Sequence, residues 1–269
     1  GKPGNAFARR LPLRRSVFQV VQLLWHHRRK IMIRIGNFIF HYRNGLFPLI
    51  YAFLFFKWRP IFSNDYVAAL LGFTIAFAGQ SLRAATIGLD YIRRGGKNRQ
   101  VYADHLVTGG LFSHCRNPLY VGNFIIILGV GIASNSLLFL AIAIPFFLFA
   151  YAAIIAAEEN FLRKKFGWEF DDYCDRVNRI VPKCSGLRQT MRGMEFNWKR
   201  LINKEYGTTF IWLMALFAVT LKNVWHDYGD NPQRPIVWVL VSALILVTLA
   251  YGAARYFKKS GLLQEDARA

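Results

Sequence analysis

LYVGNFIIILGVGIASNSLLFLAIAIPFFLFAYAAIIAA, residues 119–157, is a run of 39 residues without a charge. As one helix it would extend about 58 Å, against a bilayer hydrocarbon core of about 30 Å. The run therefore has to cross twice. Ser134-Asn135-Ser136 supplies the connection, because these side chains compete for backbone hydrogen bonds and favour turns over helix interiors. The expectation is a helical hairpin, 119–133 and 137–157, inside a membrane.

Working outward, residues 66–89, uncharged except for Arg83, and residues 235–254 make two further spans. Residues 45–56 and 207–221 are shorter than the roughly 17 residues a crossing needs. Both are counted as crossings, with Lys57 and Lys222 snorkelling to the headgroups and tilt absorbing the rest. The expected fold is all-α, a polytopic integral membrane bundle of about six transmembrane helices. A composition of 54% hydrophobic and 16% aromatic residues excludes an ordinary soluble α/β enzyme, a disordered tail and a coiled coil. No apolar run with a small-residue cleavage site follows the basic residues 1–15, so the first span is expected to act as the insertion signal.

A formal charge of +20 raises nucleic acid as a partner, and the positions of the 35 Lys and Arg residues decide against it. With alternate loops assigned to two sides, 30 of them fall on one side and four on the other. That side is expected to be cytoplasmic, with both termini, and its charge is explained by attraction to anionic lipid. Residues 16–43, where Arg28, Arg29, Lys30 and Arg34 alternate with apolar residues, read as an interfacial amphipathic helix. Three cysteines, Cys115, Cys174 and Cys184, supply neither a disulfide framework nor a zinc cluster, and no metal site is expected. Arg83 is the only charge well within a span. It lacks a paired carboxylate at the midplane, which argues against a transporter.

Two stretches on the basic side go beyond composition. In the first, residues 106–122, Gly109-Gly110 frees the backbone for a turn, and Pro118 suits the first turn of the entering helix. Free backbone N–H groups at such a junction can receive an anionic or polar ligand group. A plain junction, with Arg116 and Tyr120 as interfacial anchors, accounts for the same residues. In the second, Glu158-Glu159 ends the uncharged hairpin, at the unfavourable end of a helix dipole. Carboxylates there need a cationic partner, either an arginine such as Arg83, Arg116 or Arg163, or a cationic ligand.

Together these elements resemble the isoprenylcysteine carboxyl methyltransferase and phospholipid methyltransferase superfamily. The matching elements are Leu106 to Gly110, the Arg-Asn-Pro-x-Tyr-x-Gly run at 116–122, a membrane hairpin, Glu158-Glu159, Phe166 to Tyr173, and Val177 to Pro182. They cover roughly residues 66–182. The resemblance divides the chain into a basic cytoplasmic segment, 1–43, a membrane methyltransferase core, 44–182, and a linker with two further spans, 183–269.

The resemblance implies an S-adenosylmethionine-dependent enzyme. It assigns His105, Leu106, Val107, Gly110, Phe112, Asn117, Pro118, Tyr120, Gly122, Glu158 and Glu159 to the donor, and Glu159, Arg116 and Tyr120 to catalysis. Glu159 is the expected base, and Glu158 the expected partner of the cationic donor. The prenylcysteine branch carries an arginine for the acceptor carboxylate four positions before the first glutamate, where this chain has Ile154, and reads Arg-His-Pro in place of Arg116-Asn117-Pro118. Both departures favour an amine-bearing lipid such as phosphatidylethanolamine. Carboxyl methylation of a lipophilic acid, a nicotinamide-dependent sterol-reductase-like activity and a non-catalytic membrane scaffold are the alternatives.

Overall fold

A computed structural model describes residues 11–56, 58–89, 103, 105–228 and 235–263, and side chains only from residue 27, excluding 226–234. The long elements are all helices: α1 (Leu11–Tyr51), α2 (Asp65–Leu89), α3 (Pro118–Ala133), α4 (Leu137–Phe166), α7 (Trp198–Tyr228) and α8 (Pro235–Lys259). Two short helices, α5 (Trp168–Arg176) and α6 (Leu187–Arg192), lie beyond the bundle's end. The chain is a polytopic helical membrane bundle. By length and composition α2, α4, α7 and α8 can each cross a bilayer, and α3 is a shorter apolar helix.

The hairpin of α3 and α4 turns at Ser134-Asn135-Ser136, all three buried. Asn135 takes a left-handed backbone, φ 48°, which asparagine tolerates better than most residues. Its Oδ1 accepts from the backbone N–H groups of Ile61 and Phe62, each at 2.9 Å, and its Nδ2 donates to the Phe62 carbonyl and to Asp65. Ser136 Oγ donates to the Phe56 carbonyl at 2.7 Å. The turn is thereby tied to the loop before α2, and these bonds satisfy backbone groups of that loop that lipid could not.

Close backbone approach holds α2 to α3. A Cβ on Gly72 would meet the Gly129 carbonyl at 2.5 Å, one on Gly79 the Gly122 carbonyl at 2.7 Å, and one on Gly129 the Ala76 nitrogen at 2.4 Å. Without a hydrophobic drive between helices in lipid, such small-residue stripes are the means of tight packing. At 16 residues α3 spans about 24 Å, so it starts beneath the level that the longer α2 and α4 reach. Asn117 and Pro118 at that start are buried.

Three features differ from the sequence expectation. Helix α1 runs without a break through the residues expected as an interfacial helix and into those expected as a first span, with Pro48 inside it. Its second half packs on α4, where a Cβ on Gly36 would lie 2.0 Å from the Ala153 carbonyl. Helix α7 is 31 residues long and not a marginal crossing, because Lys199, Arg200, Lys204 and Glu205 are part of it. Arg83 does have a carboxylate partner. Its Nε and Nη2 donate to Glu205 Oε2 and Oε1 at 2.9 and 2.5 Å, with both residues buried.

Candidate active site

Helix α4 carries the two glutamates out of the apolar bundle, and successive residues on a helix point about 100° apart. They consequently meet different partners. Glu159, 7% exposed, is gripped by Arg179, whose Nε donates to Oε1 at 2.9 Å and whose Nη2 donates to Oε2. Arg116 Nη2 stands 3.5 Å from the same Oε1. Glu158 is half-buried and accepts the Tyr120 hydroxyl at 2.8 Å.

The partners come from the junction before α3. Gly109 is extended, Gly110 takes φ 56°, and a single 3-10 turn, Gly110–Ser113, follows. Glycine is suited to that left-handed backbone. The segment at residues 178–183 lies along this junction: Arg116 N–H donates to the Asn178 carbonyl at 2.9 Å, Asn117 Nδ2 to the Arg179 carbonyl at 2.9 Å, and Lys183 N–H to the His114 carbonyl at 2.9 Å. His114 itself bonds the Lys183 carbonyl and the Thr190 hydroxyl through its two ring nitrogens. Tyr173 Oη donates to the Phe112 carbonyl at 2.7 Å, fixing the turn from α5.

Charge at this end is strongly positive. A cavity of about 530 Å³ is lined by Arg28, Arg29, Arg116, Arg163 and Arg179 around Glu159. The Glu159 carboxylate holds the Arg179 guanidinium above even its ordinary value, so Arg179 stays charged at any physiological pH. Arg116 Nε is buried with no hydrogen-bond partner, an arrangement that costs free energy unless a ligand fills it. Burial pushes the Cys115 and Cys174 thiols up, against the lowering effect of the Arg116 charge. Neutral thiols at neutral pH are poor nucleophiles, so neither is suited to covalent catalysis.

On the other side of α4 lies a second cavity, of about 450 Å³, inside the bundle. Tyr120, Tyr51, Tyr151, Phe47, Ile154 and Trp212 form much of its wall, with Arg43 and Asn44 from α1 and Thr208 from α7. The rings of Tyr120 and Tyr151 are 5.3 Å apart, and those of Phe47 and Phe147 5.0 Å. Tyr120 therefore touches both worlds, its hydroxyl on Glu158 and its ring on an aromatic cavity.

Of the residues expected at the site, the structure gathers Arg116, Asn117, Tyr120, Glu158 and Glu159 around the junction. Pro118 is the first residue of α3. Val107 and Phe112 pack on each other, Gly110 is buried beside them, and Leu106 joins Leu162, Phe170 and Tyr173. His105 is exposed, and Gly122 faces Arg83 on α2, where a Cβ would meet Cγ at 2.5 Å. Sequence reasoning missed Arg179, Arg43 and Glu205. Arg179 falls within the matched Val177 to Pro182 element, which was the one available signal; nothing local marks the other two.

The family model for phospholipid methyltransferase matches residues 68–169. The chain is 42% identical over 83 residues to the nickel-cobalt-cadmium resistance protein NccN of Alcaligenes xylosoxydans xylosoxydans, an alignment covering 31% of this chain and 38% of that protein's length. It is 34% identical over 204 residues to the cobalt-zinc-cadmium resistance protein CzcN of Cupriavidus metallidurans, covering 72% of this chain and 88% of that protein. No solved structure matches the chain significantly.

Proposed function

The chain belongs to the phospholipid methyltransferase family, and we propose that it moves a methyl group from S-adenosylmethionine to an amine-bearing lipid at the cytoplasmic membrane face. The observation that carries this reading is the Tyr120–Glu158 pair, placed where the polar junction meets an aromatic cavity within the bundle.

The site suits the donor. S-adenosylmethionine carries a carboxylate, an ammonium and a sulfonium, and the buried, unpartnered Arg116 Nε offers a donor for the first. Glu158 offers negative charge for the cationic part. Bound there, the donor would supply an electrophilic methyl group. The chain's own residues then hold the acceptor amine, exclude water and accept a proton. An ammonium headgroup must lose a proton before its nitrogen can attack. Tyr120 Oη takes that proton as its own passes to Glu158 Oε1, along the hydrogen bond already in place. Glu159, committed to Arg179 and Arg116, acts in this reading as a positioning residue and not as the base.

The names of the two relatives refer to resistance to metal cations. Full methylation of an amine headgroup leaves a nitrogen without a lone pair, which removes a nitrogen ligand for late transition metals from the membrane surface. Lipid extracts from cells with and without the protein provide the test. Gain of one or more methyl groups on an amine lipid supports the reading, and an unchanged amine-lipid fraction contradicts it.

A further inference from the structure

Ile154 on α4 removes the cation that would meet an anionic acceptor group, yet the same cavity receives Arg43 from α1. We propose that Arg43 binds the anionic group of the lipophilic acceptor, a phosphodiester in the case of a phospholipid, and so determines which lipids the cavity admits. The proposal deepens the methyltransferase reading and rests on it for the identity of the acceptor.

Four arginines at this end of the bundle have carboxylates. Arg83 has Glu205, Arg116 and Arg179 share Glu159, and Arg163 meets Asp171 at 2.6 Å. Arg43 is different. Its guanidinium sits over the Phe40 ring, 4.2 Å from the centroid, and no carboxylate among the described residues lies within ion-pair distance. A half-buried guanidinium in an aromatic wall is a partly desolvated charge, and such a charge calls for a counter-ion.

Depth fits a headgroup. Thr208, also in the wall, stands one turn beyond Glu205, and Glu205 joins Arg83, which in turn bonds Asn123 Oδ1 at 2.6 Å and the Leu119 carbonyl at 3.3 Å in the first turns of α3. That layer lies close beneath the end of the bundle that bears the glutamates. The cavity is thus lined by a cation, Arg43, and by Tyr120, whose hydroxyl reaches Glu158, together with Asn44, Asn123, Thr208 and otherwise aromatic and aliphatic side chains. A lipid headgroup with an anion next to an amine has the complementary pattern.

A carboxylate on a prenyl chain offers the same anionic chemistry, and the experiment separates the two sources. Purified protein in a neutral maltoside detergent is titrated calorimetrically with lysophosphatidylethanolamine, with N-acetyl farnesylcysteine and with a monoacylglycerol. The proposal expects lysophosphatidylethanolamine to bind at least tenfold more tightly than the monoacylglycerol. Arg43→Gln should erase that difference and Arg43→Lys keep most of it, with affinity for S-adenosylmethionine unchanged in both. Tighter binding of farnesylcysteine than of lysophosphatidylethanolamine, lost in Arg43→Gln, upholds the anion site and overturns the amine-lipid acceptor. Discrimination without methyl transfer to the lysolipid likewise leaves Arg43 standing and sinks the proposed reaction. Equal affinity for the lysolipid and the monoacylglycerol, or discrimination that survives Arg43→Gln, overturns the proposal.

Discussion

Arg83 on α2 and Glu205 on α7 are joined by two hydrogen bonds, Nε to Oε2 at 2.9 Å and Nη2 to Oε1 at 2.5 Å, in a buried layer that Gln80 and Asn123 complete. Gln80 Nε2 also donates to Glu205, and Trp212 Nε1 donates to Gln80 Oε1 at 3.0 Å. The pair fastens α7, which lies beyond the residues matched to the family, onto the α2–α3 core. Removing one partner leaves a buried charge unpaired. Glu205→Ala should therefore destabilise the bundle by about 3–5 kcal/mol, and the double change Arg83→Met with Glu205→Leu by much less. Thermal unfolding in detergent checks this; equal losses for the single and double variants would contradict it.

Glu158 and Glu159 should separate experimentally. In the proposed reading Glu158 meets the cationic donor, so Glu158→Gln should weaken donor binding by about 1.5–3 kcal/mol, as measured by calorimetry. Glu159→Gln loosens the Arg179 clamp, so its loss should appear mainly in turnover and in thermal stability. The opposite pattern would return the base to Glu159.

The cysteines give a pH readout. Burial raises the Cys115 and Cys174 thiols above the ordinary value of 9.0, so both stay protonated in the folded chain where an unfolded chain begins to ionise. Any stability they contribute is intact below that ordinary value and declines as pH rises through the raised one. Exposed Cys184 should react with a maleimide first at neutral pH, Cys115 last, and the lag should shrink in alkaline buffer. Reaction of Cys115 as fast as Cys184 at neutral pH would contradict the raised thiol.

Orientation can be read at the two ends of the hairpin. A cysteine in place of Asn64, in the loop bonded to the Asn135 turn, should label from outside intact cells in a background without native cysteines. One in place of Ser185, next to the segment bonded to His114, should be protected. Labelling of the second position would invert the orientation.

The hairpin is legible in the sequence because 39 uncharged residues cannot be one helix, and because Ser134, Asn135 and Ser136 favour a turn that the structure then pins. Helix α7 is under-read for a definite reason. Glu205 looks like a loop charge until Arg83, far away in sequence, neutralises it inside the bundle. Arg116, Asn117, Tyr120 and the two glutamates can be found from their order along the chain. Their division of labour cannot, because it depends on which face of α4 meets Arg179 and which meets Tyr120. Arg43 is hidden in the same way: a basic residue near an amphipathic stretch gives no sign of the cavity it lines.

Methyl transfer by the purified protein tests the proposed reaction most directly. Radiolabelled S-adenosylmethionine is incubated with phosphatidylethanolamine or with farnesylcysteine analogues, and the linkage of the label is determined by its stability to base. Base-stable label on the amine lipid, lost in Glu158→Gln, is the expected result. Base-labile methyl ester on farnesylcysteine, with none on the amine lipid, would contradict it.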